Sequence, residues 1–183
     1  MRVVLFLEEP STKEFLDNAL PRLFPGLDFL CVPRQGKNDL EKSLKRKLPA
    51  WNVPGDVFVI LRDNDGGDCL AFKQKLRAIC DEAEKPALIR IVCQELEAWY
   101  LGDTAALAVA FEDESLSEIG ERKKFRDPDR LGSPSRELKT LVPSFQKTSG
   151  ARKMGQAIAR TGNTSASFRI FLSGLDSLTQ RPA

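Results

Sequence analysis

The chain of 183 residues contains no histidine. That absence excludes His-dependent nucleophilic triads, HExxH metalloproteases and the usual zinc chemistry, so any catalysis must rest on carboxylates, lysine, arginine, serine or threonine. Its four cysteines, Cys31, Cys69, Cys80 and Cys93, form no CxxC pair and read as reduced apolar core residues. Long hydrophobic runs are missing as well. The opening MRVVLFLEEP holds an apolar run of five residues before two glutamates and a proline, too short for a signal-peptide core, and no later run reaches membrane-spanning length. A cytoplasmic protein without a membrane-spanning segment is expected.

Against these absences stand 28 Lys+Arg and 26 Asp+Glu, for a formal net charge of +2. The balance is uneven along the chain. Residues 1–117 carry 15 Lys+Arg against 20 Asp+Glu, whereas residues 118–183 carry 13 against 6. An acidic front and a basic tail suit a metal site beside a polyanion-binding surface, although an ordinary solvated surface also presents lysine and arginine. With 42% hydrophobic residues, a chain of this length buries one sizeable core. A single domain over 1–183 is therefore expected, with an α/β core at 1–102 and a helical, loop-rich basic appendage at 103–183.

Four short apolar runs punctuate the first half: Arg2 to Leu7, Asp28 to Pro33, Asp56 to Arg62 and Ala87 to Cys93. Runs such as VVLFL and VFVIL are nearly continuous, as strands covered on both faces require, and this points to a parallel sheet. Between them, Ser11 to Phe24, Asn38 to Leu48 and Asp68 to Glu84 repeat apolar residues at helical spacing. The alternation predicts a doubly wound α/β fold with right-handed crossovers. Beyond Cys93 nothing reads as strand. Helices are expected at QELEAWYLGDTAALAVAF, Ser135 to Leu141 and Ser167 to Leu178.

Open parallel sheets bind ligands beyond the carboxyl ends of their strands, so the residues just past each run carry the chemistry. Three of the four ends are acidic. Glu8 and Glu9 follow the first run, Asp63 and Asp65 the third, and Glu95 and Glu97 the fourth. Three convergent carboxylate groups would hold a hard cation such as Mg²⁺ or Mn²⁺, although Asp-Asn-Asp-Gly-Gly also suits a simple turn. Lys37, opening the second helix after Gly36, is placed to meet a phosphate or merely to be solvated. Arg62, Arg152 and Lys153 are further phosphate or nucleic-acid candidates. Lys147, Arg152 and Lys153 lie in QKTSGARKMG, where Gly150 and Gly155 would permit close backbone approach. Trp99 and Tyr100 read as core aromatics, with base stacking as the alternative.

A glutamate after the first strand and DxD after the third resemble the Toprim superfamily of topoisomerases, primases and the nucleases of the overcoming-lysogenization-defect family. More narrowly, LEEPSTKEFL, RDNDGGDC, RIVCQELEAWYLGD, KFRDPDRL and SFRIFL resemble the domain of unknown function 4276 family over nearly the whole chain. The resemblance implies a Toprim-like, mostly parallel four-stranded sheet and an Mg²⁺- or Mn²⁺-dependent nuclease. It makes Glu8 the strand-one acid, Asp63 and Asp65 the metal-binding pair, Glu95 and Glu97 a further acidic pair, and Lys147 a late basic catalytic residue. An ABC-type ATPase partner in anti-phage defence is also implied, and the alternative is a non-catalytic, metal- or nucleic-acid-binding regulatory subunit of such an ATPase. Two departures stand out. Glu9 replaces a glycine common in Toprim-like members, and Thr12 stands where many carry another acid.

Overall fold

A computed structural model describes residues 1–180. Its centre is a four-stranded, all-parallel sheet of β1 (Arg2–Leu7), β2 (Phe29–Pro33), β3 (Asp56–Asp63) and β4 (Ala87–Val92), in the order β2-β1-β3-β4. All four expected strands are present to within a residue. The first three helices are α1 (Pro10–Leu23), α2 (Lys37–Lys47) and α3 (Cys69–Glu82). Each start has a local cause. Pro10 sits at the first turn of α1, where its missing N–H is no loss. Gly36 takes φ +91 ahead of α2, and the Asp68 side chain accepts from the amides of Leu70 and Ala71 to cap α3.

Side-chain alternation along the strands divides the interior into two layers. Val4, Phe6, Phe58, Ile60, Ile89 and Ile91 face α2 and α3, meeting Leu40, Leu44, Leu76 and Ile79. Val3, Leu5, Leu7, Val59, Leu61 and Val92 face α1 and a second group of helices. That group comprises α4 (Glu97–Leu101), α5 (Thr104–Phe111), α6 (Pro134–Leu141), α7 (Lys147–Ala157) and α8 (Ala166–Thr179), with three short 3₁₀ segments between α5 and α6. Leu107, Met154, Phe168 and Phe171 from this region share one apolar cluster with Phe15 and Leu16 of α1. The residues after 102 thus form the cover of one sheet face. No helix among the described residues is long and apolar enough to cross a membrane.

Helix α7 revises the reading of Gly150 and Gly155 as residues that admit phosphate. Both sit inside a helix and admit protein. A Cβ on Gly150 would lie 2.3 Å from the Phe145 ring, and one on Gly155 would lie 2.5 Å from the Phe15 carbonyl oxygen of α1. Arg22 Nη1 donates to the carbonyls of Gly155 and Ile158, each at 3.1 Å, and locks the two helices together. Gly155→Ala is therefore expected to cost about 1–3 kcal/mol through overpacking against backbone that has nowhere to move. Gly132→Ala, at a position with open space around it, is the control. Urea unfolding of the two variants checks this, and equal midpoints would mean that α7 shifts freely on α1.

Candidate functional site

Parallel pairing brings the carboxyl ends of β1, β3 and β4 to one edge. Glu8 follows β1 and is 7% exposed. Its Oε2 lies 3.8 Å from Arg62 Nε yet makes no hydrogen bond. Asp63 closes β3, half-buried, level with Val92 of β4. Asn64 braces the turn that follows. Its Oδ1 accepts from the Gln94 amide at 2.5 Å, and its Nδ2 donates to the Gly67 carbonyl at 3.2 Å. The loops after β3 and β4 are thereby tied together. Asp65 adopts a left-handed φ of 46° and projects into solvent, 3.9 Å from Lys37 Nζ.

From the far side, Glu97 opens α4 at 1% exposure, and its Oε2 lacks any partner. Lys147 opens α7, and its Nζ pairs with Glu9 Oε2 at 2.5 Å. A lysine in the first helical turn opposes the helix dipole, so its presence there answers to the acidic edge it faces. Glu95 turns elsewhere. It accepts from the Ser135 amide at 2.7 Å and from its hydroxyl at 2.9 Å, satisfying the start of α6.

Electrostatics mark the same residues. Burial pushes the Asp63 carboxyl well above the ordinary carboxylate range, and the charges of Glu8, Glu97, Glu9 and Asp65 push it further. Glu8 is raised by burial and then by Asp65, with Arg62 and the Asp63 amide pulling the other way. Burial lifts Glu97 to about 7, against the opposing effects of its own amide and Lys147. For Lys147, burial favours the neutral amine, but the bond to Glu9 and the charges of Glu97 and Asp63 win and raise it. The Tyr100 hydroxyl is buried without a partner and is raised by burial, then by Glu97 and Asp63.

The structure therefore gathers Glu8, Asp63, Asp65, Glu97 and Lys147 around one edge, and adds Glu9, Asn64 and Tyr100. Glu9 already stands beside Glu8 in the sequence, but its pairing with Lys147 comes only through the packing of α7 on α1. The basic candidates are otherwise engaged. Arg62 is buried at 3% exposure, donates to Glu41 at 3.0 Å and lies 4.0 Å over the Phe72 ring. Arg152 pairs with Glu14 at 3.0 Å, and Lys153 sits 5.7 Å over Phe111. Trp99 and Tyr100 are fully buried, which leaves neither a face for a base.

The profile of the family described as a domain of unknown function (DUF4276) matches residues 7–176. The chain belongs to the DUF4276 family. Curated proteins and solved structures yield no significant match. The DUF4276 span includes Glu8 and most of α8, so the acidic edge and the helices that cover one sheet face belong to one family unit.

The donors of this DUF4276 site suit a hard cation, since they are carboxylates, and Glu8 and Glu97 each keep a buried oxygen unpartnered. Their present arrangement is looser. Among the described residues no group of three or more Cys, Asp or Glu side chains is assembled to hold a metal ion. Glu9 is held by Lys147, Asp65 by Lys37 and Glu95 by Ser135, so Glu8, Asp63 and Glu97 are the carboxylates a cation would draw together.

Proposed function

We propose that this edge binds a divalent cation, Mg²⁺ or Mn²⁺, and cleaves phosphodiester bonds in nucleic acid as a Toprim-like nuclease. The carrying observation is that Glu8 and Glu97, both buried with an oxygen unpartnered, flank the half-buried Asp63, whose carboxyl their charges push further up. Such a cluster is unstable by itself and is relieved by a cation. Glu8, Asp63 and Glu97 would hold it, with Asp65 at the rim, and a bound divalent ion supplies an activated water and charge for the phosphate oxygens. Lys147 holds Glu9 until substrate arrives, and its ammonium is then available at the edge for a phosphate oxygen. Asn64 keeps the β3 and β4 loops in register, so that Asp63 and Glu97 stay opposed.

A second reading is supported by the engagement of Arg62 and Arg152 in ion pairs and by the unassembled carboxylates. In it, the module binds cation and acts as the regulatory subunit of an ABC-type ATPase without cutting. Titration of Mn²⁺ into wild type and Asp63→Asn/Asp65→Asn by calorimetry, followed by incubation with labelled single and double strands, separates the two. Wild-type binding should weaken in the variant by more than the roughly 10–100-fold lost with an outer-shell partner. Cutting that vanishes with binding supports the nuclease; binding without cutting supports the regulatory module. Absence of heat from wild type overturns both. Because Glu97 titrates near neutrality, Mn²⁺ binding at pH 7 should also release protons, seen as an apparent enthalpy that changes with the buffer.

A further inference from the structure

Next to the acidic edge, α6 and α7 flank an open surface cleft of ≈ 410 Å³ lined by Glu97, Ser135, Arg136, Lys139, Phe145 and Lys147. Its walls combine the last acid of the candidate site with three cations, two of which the sequence pattern does not single out. We propose that this cleft is the phosphate-backbone subsite for a nucleic-acid strand, with Arg136 as its principal grip. The inference rests on the function proposed above and names where the strand lies.

Three observations carry it. First, the cations differ in availability. Lys139 Nζ donates to the Phe145 carbonyl at 2.7 Å and is held in place at the cleft wall. Lys147 is paired with Glu9. Arg136 is exposed and has neither an ion-pair partner nor a side-chain hydrogen bond among the described residues, although Glu137 beside it is taken by Lys124 at 2.5 Å. An unpaired guanidinium offers a planar fork of donors that suits phosphate oxygens.

Second, the amide end of α6 is already occupied. Glu95 accepts from Ser135 N and Oγ, so an incoming anion is directed away from the backbone amides of that helix start and toward the side chains that line the cleft. Third, Phe145 is the cleft's aromatic residue and is 6% exposed, its ring packed on Gly150 and edge-on to Phe111. No ring face is open for a base. Recognition in this cleft is therefore through phosphate and indifferent to sequence. Glu97 forms the shared wall, so a phosphate between Arg136 and Lys147 presents the next linkage to the acidic edge.

The test is fluorescence anisotropy of a labelled 12-nucleotide single strand, in EDTA and separately in Ca²⁺, with wild type, Arg136→Glu and Arg46→Glu. Arg46 is exposed on α2, which covers the other sheet face, and controls for net charge. Arg136→Glu should weaken binding about tenfold or more and lower the salt dependence by about one phosphate contact, while Arg46→Glu leaves both near wild type. Circular dichroism melts confirm that each variant folds. Equal behaviour of the two variants in both series overturns the inference, whatever happens to cleavage. Arg136-dependent binding in EDTA from a protein that neither binds Mn²⁺ nor cuts upholds the subsite and removes the nuclease. Competition by orthophosphate as effective, per phosphate, as the unlabelled strand overturns the strand as ligand and leaves a free-phosphate site.

Discussion

Replacing Glu97 with glutamine is expected to stabilise the cation-free protein at pH 8 by about 3 kcal/mol, although Glu97 is among its most buried polar residues. The sign follows from proton binding. In the folded chain the carboxyl is raised from 4.5 to about 7 by burial, so the native state holds its proton more tightly than the unfolded chain. Between these two values the unfolded form deprotonates first. Stability is therefore fully retained below pH 4.5, falls as pH rises toward 7, and stays low above it. Glutamine has no proton to lose, so the variant's advantage should be near zero at pH 4.5 and greatest at pH 8. For a chain of this size the gain corresponds to a rise of roughly 6–12 °C in Tm. Thermal unfolding in EDTA at pH 4.5, 6 and 8 gives the answer. A variant equally destabilised at all three values would show that Glu97 acts as a hydrogen-bonding core residue and that its charge is not strained.

Adding Mn²⁺ should reverse the ranking at pH 8. Ligand binding raises stability by RT ln(1 + [L]/Kd), about 2.7 kcal/mol at a hundredfold excess over Kd. Wild type should gain this and Glu97→Gln should gain less, because the variant has lost one of the carboxylates proposed to hold the ion. A residue that costs stability in the apo protein and recovers it with ligand is kept for binding. Asp63→Asn, whose carboxyl is raised well above its ordinary range by burial and four neighbouring acids, should follow the same pattern.

The sheet was legible because its determinants are local. VVLFL and VFVIL are apolar on both faces, Gly36 and Asp68 punctuate the helix starts, and the strand ends lead directly to Glu8, Asp63 and Asp65. From there the acidic edge follows from the rule that parallel strands share one carboxyl end. The remainder depends on contacts distant in sequence. Lys147 and Glu9 are brought together by α7, whose Gly155 looks like a loop residue until α1 is seen against it. Likewise, the two acids after β4 look alike in sequence, yet Glu95 caps α6 while Glu97 faces the edge. Arg62 reads as a surface cation beside DxD, but its alternation along β3 turns it inward beneath Phe72. A side-chain period of two decides the face, and what awaits on that face is set by tertiary packing.

The second large effect is expected outside the acidic edge itself. Within the run KFRDPDRL, Asp129→Ala should destabilise the protein by about 3 kcal/mol, while Asp127→Ala, two residues away, costs about 0–1 kcal/mol. Asp127 is exposed and pairs with Arg130 at 3.3 Å. Asp129 accepts from Ser165 Oγ at 2.6 Å, Ser167 N at 2.8 Å and Ser167 Oγ at 3.2 Å, at the start of α8. Ser167 Oγ in turn accepts from Trp99 Nε1 at 2.8 Å. Removing the carboxylate leaves buried donors on Ser165 and Ser167 unsatisfied and loosens Trp99, which shares the five-residue helix α4 with Glu97. Urea unfolding should show the loss, and Asp129→Asn should recover part of it, since its amide oxygen still accepts. Because the network ends two residues from Glu97, Asp129→Ala should also weaken Mn²⁺ binding severalfold at a temperature where the variant is fully folded. An unchanged affinity would show that α4 is held by its apolar contacts alone, and that the acidic edge and the cover of the sheet are built independently.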